Sequence, residues 1–339
     1  MKAAVWYGGK DVRVEDVQEP RVGADDVLIK VRAVGICGSD LHAFEGLSKR
    51  RVPPLIMGHE FAGDVVELGS NVKGLVEGVR VTVEPMLTCG ECGPCKRGQS
   101  NICLNLRFMG LHTPGALAEY VAAPAHRCYT IPEGVTYEEA SLAEPLAVAV
   151  HAVNRTAVRL DDDVLLVGGG IIGLLILQVS KRRTTGQIIV TDLIDRRLRL
   201  AESLGADITV NPGREDVVKR VMGATSGQGV NVAVEVVGLQ ATLQQAVASV
   251  RKGGSVTVVG LLERMMTVDM MKVVSSEVEV RGTYTYAGGD FETSLNLIRD
   301  HKVNLEPFLA HTFPLEEVQK GFEAMAGNGE RVLKAIIKP

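Results

Sequence analysis

DVLLVGGGIIGLLILQVSKRR, residues 163–183, is the stretch that decides the fold. Val164 to Val167 form an uninterrupted apolar run that stops at glycine, the pattern of a strand buried on both faces. IIGLLILQVSKRR (171–183) then reads as a helix. Gly168, Gly170 and Gly173 therefore stand as GxGxxG between a strand and a helix. A tight turn, close approach of a pyrophosphate to the backbone and the free N–H groups of a helix N-terminus coincide there. The glycine spacing alone is a weak signal; the strand before it and the helix after it give it meaning.

Downstream the alternation continues. QIIVTD (187–192) reads as a strand, DRRLRLAESLGA (195–206) as a helix and DITV (207–210) as a strand. The helical EDVVKRVMG (215–223), the strand NVAVEVVG (231–238), the helical ATLQQAVASVRKG (241–253) and the strand GSVTVVGL (254–261) follow. A last strand is expected in SSEVEVRGT (275–283) and a helix near DFETSLNLIRDHK (290–302). This spacing implies an α/β domain with a parallel, doubly wound sheet covered by helices on both faces. Asp192 ends the second strand, 19 residues after Gly173. A carboxylate there accepts hydrogen bonds from an adenosine ribose and repels a 2′-phosphate, so NAD is expected over NADP. Arg196 and Arg197 follow closely and could instead receive that phosphate. They could equally be solvated first-turn residues, or Arg197 could pack on the adenine. Ile171, Ile172, Val237 and Val259 complete the expected cofactor contacts.

Upstream, the texture is different. DVLIKVRAVGI (26–36), EFAGDVVELG (60–69) and VEGVRVTVEP (76–85) alternate in polarity and end at turn residues, which predicts a β-rich domain. The tail RVLKAIIKP (331–339) is strand-like and is expected to return to that first domain. At 339 residues the chain suffices for two domains, and 46% hydrophobic with 23% charged residues is an ordinary globular balance. A net charge of −4 gives no reason to expect nucleic acid or an anionic membrane surface. No apolar run has the length to cross a bilayer, and the N-terminal stretch lacks the pattern of a signal peptide. Six cysteines without an export signal suggest a reducing compartment, with cytoplasm expected.

Two groups of residues suggest metal. CGECGPCKRGQSNIC (89–103) places Cys89, Cys92, Cys95 and Cys103 in a C-x2-C-x2-C-x7-C pattern on glycine-rich loops, fit for a tetrathiolate zinc cage. Cys37 in GICGSDLH (35–42) and His59 in MGHEF (57–61) lie outside that lobe, with Glu60 adjacent to His59. A zinc that does chemistry needs only three protein ligands of mixed character and an open position. Glu144, in the apolar segment AEPLAVAVHA (143–152), is a carboxylate that requires a partner if buried.

Taken together, CGSDLH, GHEFAG, the four-cysteine lobe, AEYV, AEPLAVAVHA, VGGGIIG, VTD and FPLEEVQKGFEAM resemble the zinc-dependent medium-chain alcohol dehydrogenases, in the sorbitol (polyol), butanediol and threonine dehydrogenase branch. The likeness covers essentially the full length. It implies a GroES-like catalytic domain over 1–146 and 288–339, with a structural zinc lobe near 85–105, and a Rossmann NAD-binding domain over 147–287. It further implies that Cys37, His59 and Glu144 hold a catalytic zinc, with Glu60 as alternate ligand or holder of the metal-bound water. Cys89, Cys92, Cys95 and Cys103 would hold a second, structural zinc, making two per subunit. The shared C-x-S-x-x-H spacing makes Ser39 the group that accepts the substrate proton and His42 the group that passes it to solvent. Asp40 would support the loop or the surroundings of the metal.

The expected reaction is NAD-linked oxidation of a secondary alcohol of a polyol or vicinal diol, and its reverse. L-threonine 3-dehydrogenase is the close alternative: GALAEYV (115–121) resembles the threonine and butanediol branches, while Ser39 and Glu144-Pro145 lean towards polyol or diol chemistry. A non-catalytic zinc- and nucleotide-binding structural protein is the remote one. In GTYTYAGG (282–289), Thr285 precedes Tyr286 where animal-type sorbitol dehydrogenases carry arginine, which leaves small diols open. A homotetramer or dimer is the assembly that the likeness suggests. Cys128, His112, His126, His151, His301 and His311 have no ligand spacing and are expected to be structural.

Overall fold

The computed structural model describes residues 1–47, 50–262, 264–326 and 332–339. Arg331, the first residue of the tail stretch, lies outside them. The chain divides into two compact units, Met1–Pro145 with Ala287–Pro339, and Leu146–Tyr286.

The second unit is a six-stranded parallel sheet in the order Ile208–Val210, Ile188–Thr191, Val164–Val167, Val230–Glu235, Val250–Val258, Glu279–Gly282. The chain starts in the middle of the sheet, winds outward to one edge, then returns and winds to the other, the order of dinucleotide folds. Val164 to Val167 are fully buried or nearly so, as a strand with helices on both faces must be. The glycine motif is sterically required. Gly168 has φ +114°, and a Cβ on Gly173 would lie 1.9 Å from the Gly168 carbonyl oxygen. That contact brings the helix Ile171–Ser180 directly against the turn.

Two boundaries differ from expectation. The helix expected to reach Gly253 ends at Ser249, because Val250 already pairs with Val230 across the sheet. The register then slips and resumes at Val232 and Ser255, so sheet pairing overrides helical propensity at Val250 to Gly253. The last strand is confined to Glu279–Gly282, preceded by a helix, Met270–Ser275, that the alternation did not reveal. Glu277, between them, sits in the left-handed region at φ +50° and separates the helix from the strand.

In the first unit, the sheet runs Cys128–Thr130, Arg80–Val83, Glu60–Leu68, Asp26–Gly35, Ile336–Lys338, Thr312–Pro314, and Tyr120–Pro124 also pairs with Asp26–Gly35. The C-terminal tail is an interior strand here: Ile336 and Ile337 pair antiparallel with Gly35 and Val34, and Thr312–Pro314 flanks the other side. Its apolar residues join Ile29, Phe61, Val81, Leu117 and Phe322 in one core. A separate two-stranded pair, Met86–Leu87 with Arg107–Phe108, brackets the cysteine lobe. Among the described residues, no helix is long and apolar enough to cross a membrane.

Candidate active site and metal centres

The helix Gly38–Phe44 starts with a capping box in which cysteine takes the place usually held by serine or threonine. The Cys37 thiol accepts the Ser39 N–H at 3.4 Å, and the Asp40 carboxylate accepts the Cys37 N–H at 3.0 Å. The helix cap thus fixes the sulfur's position. His59 precedes the strand Glu60–Leu68, which pairs with the end of Asp26–Gly35 through Glu60 and Gly35. Strand register and helix cap together bring one ligand atom each from Cys37, His59 and Glu60 within 4.8 Å of one another.

Around this group, charge is tightly arranged. Asp40 is fully buried, 2.6 Å from the Arg51 guanidinium and 3.5 Å from His59 Nδ1. Burial alone would raise its pKa, but His59 and Arg51 hold it down at about 2. Burial would depress His59, yet Asp40 and Cys37 outweigh it and keep the imidazole well above its usual value of 6.5. Anions that hold a proton so firmly would hold a cation in its place, and thiolate, imidazole and carboxylate are the donor set zinc accepts. Asp40 Oδ1, 3.5 Å from His59 Nδ1, stands where a carboxylate would orient a metal-binding imidazole.

Glu144 lies in the first turn of the helix Ala143–Thr156 and is 6% exposed. It is not part of the 4.8 Å group. Burial pushes its carboxyl up to about 7; Glu60 and Asp40 add to that, and His59 and Lys334 oppose it. Glu60 itself forms a buried ion pair with Lys334. A Cβ on Gly35 would fall 2.4 Å from Glu60 Oε2 and 2.8 Å from Lys334 Cε, so only glycine leaves room for this pair. Ser39 is exposed and His42, one turn later, is half-buried. Positions three apart are neighbours on a helix surface. Burial lowers the His42 pKa from 6.5, Arg51 lowers it further and Glu45 opposes, so the ring is neutral at pH 7 and able to take a proton.

Cys89, Cys92, Cys95 and Cys103 form a second group, all four sulfurs within 4.8 Å of one another. Cys103 Sγ lies 3.5 Å from Cys89 Sγ and 3.8 Å from Cys92 Sγ. Those are not disulfide lengths; a tetrahedron with Zn–S bonds of about 2.3 Å has edges of about 3.8 Å. Backbone N–H groups of Cys89 and Asn105 point at Cys103 Sγ at 3.4 and 3.3 Å, and that of Cys92 at Cys89 Sγ at 3.4 Å. Such donors favour thiolate: backbone hydrogen bonds draw Cys92 down to about 6 and lower Cys103, while burial and the neighbouring sulfurs push Cys95 up to about 12. Four thiolates do not coexist at this range without a cation.

At the dinucleotide turn, Asp192 accepts N–H groups from Gly169 at 2.9 Å and Ile194 at 2.8 Å, with Arg197 at 3.4 Å. Ile171 and Ile172 open the helix after the glycines. A Cβ on Gly168 would lie 2.7 Å from the Val237 side chain, and the Val259 N–H bonds the Glu235 carbonyl at 2.8 Å. All of these expected cofactor residues cluster at the carboxyl ends of the parallel strands.

Three charged residues absent from the sequence-based site turn out to organise it. Arg51 and Lys334 hold Asp40 and Glu60. Glu235, fully buried, accepts the N–H groups of Val237 and Gly238 and the Thr242 hydroxyl at 2.7–2.9 Å, shaping the loop after the fourth strand. The only sequence signal for Glu235 and Lys334 was a lone charge inside an apolar run. Of the residues set aside, Cys128 has its thiol pushed up to about 12 by burial, and His112 Nδ1 accepts the Phe108 N–H at 3.0 Å.

Comparison with known proteins gives this geometry a relationship. Residues 23–133 match the family described as Alcohol dehydrogenase GroES-like domain, and residues 172–300 match Zinc-binding dehydrogenase. The chain is 35% identical to sorbitol dehydrogenase of Bacillus subtilis, with 100% of this chain and 97% of that protein covered. It is 37% identical to L-threonine 3-dehydrogenase of Pyrococcus horikoshii, covering 98% and 97%. Among solved structures it matches 2R,3R-butanediol dehydrogenase from Bacillus subtilis with a TM-score of 0.92 at 32% identity, covering 100% and 99%. The β-rich unit is accordingly GroES-like and the parallel-sheet unit is a Rossmann domain, as expected from the sequence. The chain belongs to the zinc-dependent medium-chain alcohol dehydrogenase family, in its polyol dehydrogenase branch.

Proposed function

We propose that this enzyme oxidises a secondary hydroxyl of a polyol or vicinal diol to the ketone with NAD, and catalyses the reverse reduction. The convergence of Cys37, His59 and Glu60 beside a buried, orienting Asp40 carries the proposal. A zinc ion held by Cys37, His59 and a carboxylate from Glu60 or Glu144 would supply Lewis acidity to a substrate hydroxyl, and a bound nicotinamide would accept the hydride. The remaining work belongs to side chains. Ser39 accepts the hydroxyl proton, and His42, neutral at pH 7, passes it to solvent. Asp40 holds the His59 ring in one tautomer.

Cys89, Cys92, Cys95 and Cys103 hold a second zinc whose role is structural, giving two per subunit. Asp192 favours NAD over NADP because its carboxylate occupies the ribose side of the turn. Small diols are favoured over long sugar alcohols, since Thr285 stands where an arginine would grip a longer chain. The proposed location is cytoplasmic. The proposed assembly is a homotetramer or dimer, supported by exposed Met270, Met271 and Val274 on the helix that precedes the edge strand Glu279–Gly282 and by exposed Val280 on that strand.

NAD-reduction assays with butanediol, sorbitol, xylitol, simple secondary alcohols and threonine test the proposal. Highest kcat/KM on a diol or polyol is the expected result. Highest kcat/KM on threonine would replace it with threonine oxidation. No turnover of any of them by zinc-replete protein would favour the non-catalytic alternative.

A further inference from the structure

Arg51 is 5% exposed, and its guanidinium makes four bonds to the first unit's functional segments. Nε donates to the Gly110 carbonyl at 3.1 Å and Nη1 to the Ser39 carbonyl at 2.8 Å. Nη2 donates to the Ser39 hydroxyl at 3.2 Å and to Asp40 Oδ1 at 2.6 Å. The same Oδ1 lies 3.5 Å from His59 Nδ1, and Asp40 Oδ2 takes the Cys37 N–H. One planar cation therefore reaches the imidazole of the metal group, the cap that places its thiol, and the proton-accepting hydroxyl.

We propose that Arg51 is a positioning residue for the reaction, setting the His59 ring through Asp40 and the Ser39 hydroxyl directly. This rests on Cys37 and His59 as metal ligands and Ser39 as proton acceptor. A hydroxyl has two acceptor sites and one donor. With one acceptor site filled by Arg51, Ser39 keeps a free lone pair for the incoming proton and a single O–H to pass on. The adjacent positive charge stabilises the oxygen while the proton moves. Only a guanidinium spans these partners, because an ammonium is a point charge without the fork. Asp40 also needs Arg51: a carboxylate so deeply buried is costly without a cation.

Three variants, Arg51→Lys, Arg51→Met and Ser39→Ala, separate the possibilities. Each is checked by thermal melting, zinc release to a chelator, kcat and KM against pH, and the solvent deuterium isotope effect. Arg51→Lys retains a cation for Asp40 and is expected to fold and keep its zinc. Its kcat should fall at least about tenfold with an enlarged isotope effect, while KM for NAD stays unchanged. Arg51→Met should release zinc about 10- to 100-fold faster than wild type. If Arg51→Met does not fold, Arg51→Lys decides. Wild-type kcat, pH profile and isotope effect in Arg51→Lys, alongside a slow Ser39→Ala, would overturn the role of Arg51 alone. A wild-type rate in Ser39→Ala would instead overturn the relay on which the proposal rests.

Discussion

Lys334 and Glu60 are 274 residues apart in sequence, yet they close an ion pair in which neither side chain is more than 2% exposed. Lys334 lies two residues before the tail strand Ile336–Lys338, so the C-terminal tail supplies the counter-charge for a carboxylate in the candidate metal group. Breaking a buried pair leaves an uncompensated charge, which costs about 3–5 kcal/mol, whereas removing both charges costs much less. Lys334→Met should therefore lose about that much stability in urea, and Lys334→Met combined with Glu60→Gln should recover part of it. A single-variant loss below about 1 kcal/mol would mean that Glu60 finds another partner.

The sulfur cluster gives a second test. Cys103 touches two other sulfurs and receives two backbone N–H groups, so Cys103→Ser removes the best-supported corner of the cage. Elemental analysis should show zinc per subunit falling from two to one. A count of two in the variant would contradict the tetrathiolate assignment.

Proton release should carry the signature of His42. Burial places its pKa below 6.5, so the ring is uncharged through neutral pH and gains its proton only as pH falls beneath that value. Oxidation should hold steady from pH 7 downward until that lower point and then drop, because a protonated His42 accepts nothing from Ser39. In His42→Phe the rate at pH 7 should fall about 10-fold or more, and the acid limb should disappear. An unchanged acid limb in that variant would remove His42 from the relay.

Cofactor choice should follow Asp192. Hydrogen bonds to a charged group are worth about 1.5–3 kcal/mol, so Asp192→Asn should lower kcat/KM for NAD about 10- to 150-fold. NADP should suffer less or gain, since the carboxylate that repels a 2′-phosphate is gone and Arg197 remains 3.4 Å from that position. Parallel kinetics with both dinucleotides measure this. An equal loss for both would assign Asp192 to the loop rather than to the ribose.

Local pattern made much of this protein legible. Val164 to Gly173 announced a strand, a glycine turn and a helix because each needs only neighbours in sequence. The four cysteines and the Cys37–His42 segment were legible for the same reason. Arg51 was not: its partners Ser39, Asp40 and Gly110 lie 12, 11 and 59 positions away, and a basic residue beside another basic residue looks like a solvated surface. Lys334 was hidden by a separation of 274 residues. Val250 to Gly253 misled because the sequence does not disclose that Val230 is waiting across the sheet. Burial and pairing over long separations are properties of the fold, and they decided each of these cases.

X-ray absorption at the zinc edge of the Cys103→Ser protein, which should hold its metal only at the Cys37–His59 group, interrogates the metal chemistry most directly. One sulfur at about 2.3 Å with nitrogen and oxygen neighbours at about 2.0–2.2 Å is the expected first shell, sensitive to Cys37→Ser and His59→Ala. An all-sulfur shell, or full turnover from protein with no zinc remaining, would contradict a thiolate–imidazole–carboxylate Lewis acid as the heart of this enzyme.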